Sequence, residues 1–188
     1  MDMKEKEFLL RLARDSITSA FEKNASSKPS ITATLQSLSR PGASFVTLTI
    51  DGELRGCIGS LVARRPLAED VLSNARSAAF EDPRFAPLTN DELSRVKIEV
   101  SVLSPQQRRR FKDPMELMTV LDAERPGVVL HAGYLSATFL PQVWEELDRV
   151  DDFLGHLCQK AGLSPNAWKK EFDKIDYSTY EVEKISER

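Results

Sequence analysis

The sequence predicts an α+β fold, a largely antiparallel sheet flanked by helices, and three observations carry that reading. The run Val96, Ile98, Val100 and Val102 alternates with Lys97, Glu99 and Ser101, the period of two that buries one face of a strand. Asp51-Gly52 is a strong hairpin signal between a β-branched, apolar stretch at 45–50 and a returning strand at 54–59. Helical stripes lie among such strands without a regular strand–helix–strand alternation, which disfavours a doubly wound parallel sheet.

The elements follow in order along the chain. Leu9, Leu10, Ala13, Ile17, Ala20 and Phe21 recur every three or four residues and make 4–23 a helix. Residues 24–30 are rich in Ser and Asn and read as a loop, and Pro41-Gly42 reads as a second break. Arg65-Pro66 opens the next helix, with Glu69 and Asp70 near its positive end, and Asp82-Pro83 stops it after about residue 80. A short helix over 114–121 precedes a second hairpin, with arms 127–131 and 134–140 around Ala132-Gly133, ended by Pro141. Asp151 and Asp152 are placed to cap a helix with the stripe Phe153, Leu154, Leu157, Cys158 and Ala161, which Gly162 closes. A strand over 177–182 finishes the fold.

The composition bounds the function. With 188 residues, 41% hydrophobic and 29% charged, the chain can bury a core of its own and reads as one domain over 1–188. A formal charge of -3 gives no general attraction to a phosphate backbone, and Arg108-Arg109-Arg110 lacks aromatic companions, so it reads as a solvated loop and nucleic acid is excluded as a partner. No apolar run approaches the ~20 residues that span a bilayer. A charged start and only two cysteines, Cys57 and Cys158, point to the cytoplasm.

The most informative segment is Leu54-Arg55-Gly56-Cys57-Ile58-Gly59. Two glycines inside a strand each cost about 0.5–1 kcal/mol relative to alanine and mark a bulge or a close approach, either by a neighbouring element or by a ligand. Arg55, Cys57 and Gly59 share a face at a period of two, which sets a cation beside the thiol. A two-residue Asp51-Gly52 loop pairs Cys57 with Val46 and argues for a core position. A three-residue loop brings Thr47 and Thr49 to that face and argues for a site. Cys57 therefore reads as buried and inert, as reactive, or as lining a ligand site. Asn74 falls on an apolar helical stripe and must find partners, tying the helix to a strand or pointing into a cleft. Arg55, flanked by apolar neighbours on what reads as a central strand, needs either an internal carboxylate such as Glu99 or an external ligand, and the external partner is expected.

Other chemistry is poorly supported. His131 and His156 lie far apart in sequence and show no metal-ligand spacing, so no metal is expected. No lysine or Ser/Thr follows the glycines as a phosphate loop requires, and no nucleotide cofactor is implied.

The same hexapeptide resembles the signature of the AMMECR family, known in bacteria and archaea as AmmeMemoRadiSam system protein A. The similarity extends through Phe45-Val46-Thr47-Leu48, Asn74-Ala75, Asp82-Pro83-Arg84-Phe85, Ile98-Glu99-Val100 and Phe139-Leu140-Pro141, over roughly residues 5 to 182. The resemblance implies two lobes with a cleft between them, the larger built from both chain ends and the smaller from the middle, with the signature strand near the cleft. It also implies company, a Memo-type protein and a radical SAM protein encoded alongside. No activity is firmly assigned to the family.

Two functions follow as expectations. In the first, an accessory protein binds an anionic small molecule or a segment of a partner through Arg55, Gly56, Cys57, Gly59, Asn74, Arg84 and Glu99. In the second, Cys57 is the catalytic nucleophile or redox group of an enzyme, beside Arg55. The first is preferred because no general base stands at a recognisable spacing.

Overall fold

The computed structural model describes residues 1–22 and 36–187. Its elements are α1 (Met3–Thr18), β1 (Pro41–Ile50), β2 (Glu53–Gly59), β3 (Arg65–Pro66), α2 (Leu67–Phe80), β4 (Lys97–Leu103), β5 (Gln107–Arg109), α3 (Pro114–Glu124), β6 (Gly127–Ala132), β7 (Leu135–Phe139), α4 (Val150–Lys160), α5 (Ala167–Lys170), β8 (Asp176–Tyr180) and β9 (Val182–Ser186). The fold is α+β with two sheets, as the alternation and hairpin signals require, where a single sheet was expected. The described residues cluster into two compact units, one within Met1–Ser104 and Glu183–Arg188, the other within Pro105–Val182.

In the first unit the strands run in the order β2-β1-β4-β9, with β3 pairing β1 as well. Val46 and Leu48 of β1 and Ile98 and Val100 of β4 point to one face, where they join Leu9, Ile17, Val71 and Ala75 of α1 and α2 in the core. α1 begins at a capping box, the Asp2 carboxylate accepting the Glu5 N–H and the Glu5 carboxylate accepting the Asp2 N–H, each at 2.8 Å. It ends at Thr18, short of the expected 23, and the expected loop at 24–30 lies outside the described residues. Pro41-Gly42 is no break. It opens β1, with Pro41 opposite Pro66 and Gly42 opposite Arg65, and at a strand's first residue proline's missing N–H is tolerated. Arg65-Pro66 accordingly belongs to β3, and α2 starts one residue later with Pro66 at its N-cap.

The first hairpin sets the register of the signature segment. Asp51 (φ 54°) and Gly52 (φ 88°) both take left-handed conformations, as a tight two-residue turn demands. Ile50 faces Glu53 and Thr49 faces Leu54, but Leu48 then faces Gly56, so Arg55 is an extra residue, a β-bulge. A two-residue turn alone sets Cys57 opposite Val46, in the core. The bulge moves it opposite Thr47, onto the other face of the sheet. The face is the one the three-residue register expects, with Thr47 beside Cys57, but it is reached through a two-residue turn and a bulge. β2 is moreover an edge strand and not a central one.

The second unit is a four-stranded sheet in the order β5-β8-β6-β7 with a core of Leu117, Leu121, Val128, Leu130, Phe153, Leu157 and Trp168. Trp144 stacks on Phe153 at 3.6 Å and donates its indole N–H to the Pro126 carbonyl at 2.8 Å. The strand expected over 177–182 is two strands: β8 completes this sheet, and after Glu181 the chain joins the first sheet as β9. Arg108-Arg109-Arg110, expected as a loop, contributes its first two residues to β5, where Arg108 pairs with Asp176 and Arg109 with Glu124. The second hairpin turns one residue later than expected, at Gly133-Tyr134, with Ala132 facing Leu135. Asp151 and Asp152 lie in the first turn of α4 and do not cap it. Among the described residues no helix is long and apolar enough to cross a membrane.

Candidate functional site

The two signature glycines are explained by packing. A Cβ on Gly56 meets the Ala78 backbone carbonyl oxygen at 2.1 Å, so α2 presses its main chain against β2 there. A Cβ on Gly59 meets the Phe45 ring at 2.2 Å and the Ser44 carbonyl at 2.6 Å, since Phe45 is its cross-strand neighbour. What sits against this strand is the chain itself.

Cys57 lies between these glycines, half-buried, and both of its backbone polar groups are taken by one side-chain pair. Its N–H donates to Asp82 Oδ2 at 2.8 Å, and its carbonyl accepts from Arg84 Nη2 at 3.2 Å. Arg84 in turn grips Asp82 with Nε on Oδ1 at 3.0 Å and Nη2 on Oδ2 at 2.8 Å, while its backbone N–H adds a third bond to Oδ1. The Asp82 side chain is 2% exposed and the Arg84 side chain 54%. The Arg84 hydrogen bonds hold the Asp82 carboxyl well below the usual carboxylate range against the opposing effect of burial, and the Cys57 N–H adds to them. The same pairing raises Arg84. Thr47 Oγ1 lies 3.4 Å from Cys57 Sγ, and the next residue along this cross-strand row, on β4, is Glu99.

Arg55 is held internally, contrary to the expectation of an external partner. Its Nε and Nη2 bind the two oxygens of Glu92 at 2.8 and 3.1 Å, and Nη2 approaches the Pro87 carbonyl at 3.4 Å. Glu92 also accepts the Thr89 N–H and hydroxyl, a capping box around a short 3₁₀ turn. The Arg55 hydrogen bonds, then those of Thr89, bring Glu92 down to about 2. Glu99 is not its partner, because β1 lies between β2 and β4; Glu99 accepts from Ser186 at 3.1 Å and lies 4.0 Å from Lys184. The Phe85 ring takes the Arg84 guanidinium at 5.5 Å and that of Arg55 at 5.9 Å.

Asn74 ties α2 to the sheet, the first of its two expected roles. Its Nδ2 is 2.9 Å from the Ser44 carbonyl and 2.9 Å from Asp70 Oδ2. Asp70, 1% exposed, also accepts the Ser44 N–H and hydroxyl, the Ser60 hydroxyl and Arg65 Nε, so its charge is fully bonded. Both residues belong to the scaffold behind the hairpin.

Arg55 and Cys57 of the edge strand are therefore joined by Arg84, which reaches it from beyond α2, while Gly56, Gly59 and Asn74 support the strand and Glu99 stands two strands away. Asp82 and Glu92 are the residues sequence reasoning leaves out, while Thr47 stands beside Cys57 as the three-residue-loop register expects. Asp82 was read as a helix stop, and the Thr89-x-x-Glu92 spacing is a legible capping box. Both histidines lie in the other unit, exposed, His156 at 2.8 Å from the Asp152 carbonyl. Among the described residues no three His, Cys, Asp or Glu side chains gather as metal ligands.

The AMMECR1 family pattern matches residues 10–185. Protein MK0488 of Methanopyrus kandleri is 39% identical over 178 residues, covering 89% of this chain and 82% of its own length. A protein of Methanosarcina acetivorans is 43% identical over 128 residues, 67% of this chain and 63% of its own length. The crystal structure of the uncharacterized protein PH0010 from Pyrococcus horikoshii superposes with a TM-score of 0.86 at 31% identity, covering all of this chain and 94% of that one. The chain belongs to the AMMECR1 family.

Proposed function

We propose that this chain is an accessory binding protein, and that the Cys57–Arg84 corner of its first sheet receives an anionic group of a small molecule or of a partner's segment. The observation that carries the reading is the state of Arg84. One edge of its guanidinium is fixed by buried Asp82, more than half of the side chain is exposed, and Nη1 has no hydrogen-bond partner among the described residues. An arginine locked by a carboxylate on one edge offers the other to an acceptor with little further loss of side-chain freedom. The site carries no net charge, since Arg55 with Glu92 and Arg84 with Asp82 cancel, so recognition rests on directed N–H groups and not on long-range attraction.

The enzyme reading has less support. Asp82, the carboxylate bonded to the Cys57 backbone, is held by arginine far below the range of a useful base at neutral pH. The Cys57 thiol accepts a hydrogen bond from the Thr47 hydroxyl at 3.4 Å, and a neutral hydroxyl is no base at neutral pH. The family resemblance supplies the partners: a Memo-type protein and a radical SAM protein. Co-expression of the tagged chain with both, followed by mass spectrometry of retained proteins and small molecules, tests the reading. Retention that is lost in Arg84→Ala supports it; an empty eluate from the parent protein overturns it.

A further inference from the structure

The second unit carries a groove that the Cys57 corner does not use. We infer that the groove between α3 and the start of α4 docks a segment of another protein, one that presents an apolar anchor flanked by lysine or arginine. α3 has two faces. Leu117 and Leu121 are fully buried in the core, whereas Met115, Met118, Thr119 and Asp122, spaced i, i+3, i+4 and i+7, line a depression of about 610 Å³. Met115 is 69% exposed, and a methionine on a folded surface is a flexible, polarizable contact that adapts to differing anchors. Val150, 6% exposed, also lines the groove.

Charge selects the occupant. Asp122, Asp148 and Asp151 line the groove against Arg149 alone. Asp151 is already ion-paired with Lys169 at 2.8 Å and lies 4.0 Å from Arg149, and Asp122 has only a loose contact with Arg125 at 3.6 Å. Asp148 is exposed and its carboxylate has no ion pair among the described residues. Two exposed carboxylates beside a methionine-lined recess suit a basic, amphipathic segment of the kind that lays an apolar face into a groove. An acidic segment is repelled there, and a second copy of a chain with formal charge -3 brings no general positive charge.

The chain's four methionines, Met1, Met3, Met115 and Met118, make the test direct. The protein labelled with methyl-¹³C methionine is titrated with a synthetic leucine/lysine amphipathic peptide of about 14 residues, and with its leucine/glutamate counterpart. The expected result is movement of the Met115 and Met118 signals with the lysine peptide, Met1 and Met3 unmoved, and at least tenfold weaker binding in Asp122→Lys/Asp148→Lys. Both aspartates are exposed, so that variant should keep its thermal midpoint within about 2 °C. Equal response to the glutamate peptide, movement confined to Met1 and Met3, or no movement at about 1 mM peptide, where even the weakest specific docking registers, overturns the inference. So does broadening of Met115 and Met118 with protein concentration alone, which would mark a self-interface.

Discussion

The Asp82 carboxylate accepts the backbone N–H of Cys57 at 2.8 Å, from the outer side of an edge strand. With Arg84 on the Cys57 carbonyl, the pair does for that residue what a neighbouring strand would do, satisfying a donor and an acceptor that an open edge leaves bare. An edge blunted in this way resists strand addition at Cys57 and leaves the side chain as the part of the residue that can engage another molecule.

Asp82→Ala should therefore cost about 2–3 kcal/mol, since it strands the Cys57 N–H and releases Arg84 together. The native carboxyl lies below its unfolded value near 4, so its contribution is complete above about pH 4 and disappears as pH falls through the native value. Urea midpoints of parent and variant at pH 7 and in acid check this, and a difference between the two proteins that stays constant down to about pH 2 contradicts it.

Gly56→Ala should be among the most damaging single-methyl additions in the chain. The new Cβ meets backbone, the Ala78 carbonyl oxygen at 2.1 Å, and neither strand nor helix can yield as a flexible side chain would. A loss of at least about 3 kcal/mol is expected from thermal unfolding, at the upper end of overpacking penalties. Gly52→Ala separates this effect from a general intolerance of the hairpin: its Cβ has nothing within 4 Å, and only the φ of 88° opposes it.

The Arg55–Glu92 pair is 16% and 25% exposed, intermediate between a surface bridge and a buried one. Arg55→Ala should cost about 1–2 kcal/mol at pH 7, and a double-mutant cycle with Glu92→Ala should recover at least about 1 kcal/mol of coupling. Glu92 falls from 4.5 to about 2 on folding, so the coupling is complete above about pH 4.5 and is lost between there and about pH 2. A cycle that shows no coupling at pH 7 would return Arg55 to the pool of groups available to a ligand.

Much of this was legible in the sequence. The period of two in Val96–Val102 and the Asp51-Gly52 turn name β4 and the first hairpin because burial and backbone handedness act locally. Arg55's position was misread for two reasons, both non-local. The glycines allow a bulge without locating it, so the turn alone leaves two registers open, and the bulge at Arg55 selects the one that sets Cys57 beside Thr47. Strand order is also set by pairing across long loops, so nothing near Arg55 says that β1 separates it from Glu99 while Glu92 comes back from beyond α2. The glycines announced a close approach correctly; that the Ala78 carbonyl and the Phe45 ring make it is tertiary information.

The central claim is that the Cys57–Arg84 corner is a surface for binding, and the alkylation rate of Cys57 in the native protein tests it most directly. Cys158 is fully buried, and burial pushes its thiol up, so it serves as the silent internal control until denaturant is added. Cys57 is half-buried and should label in the isolated chain. The account predicts that adding the proposed partner, a Memo-type or a radical SAM protein, slows that labelling at least tenfold and that Arg84→Ala abolishes the protection. Labelling of Cys57 at the same rate with and without a bound partner, or no labelling before denaturation, contradicts it.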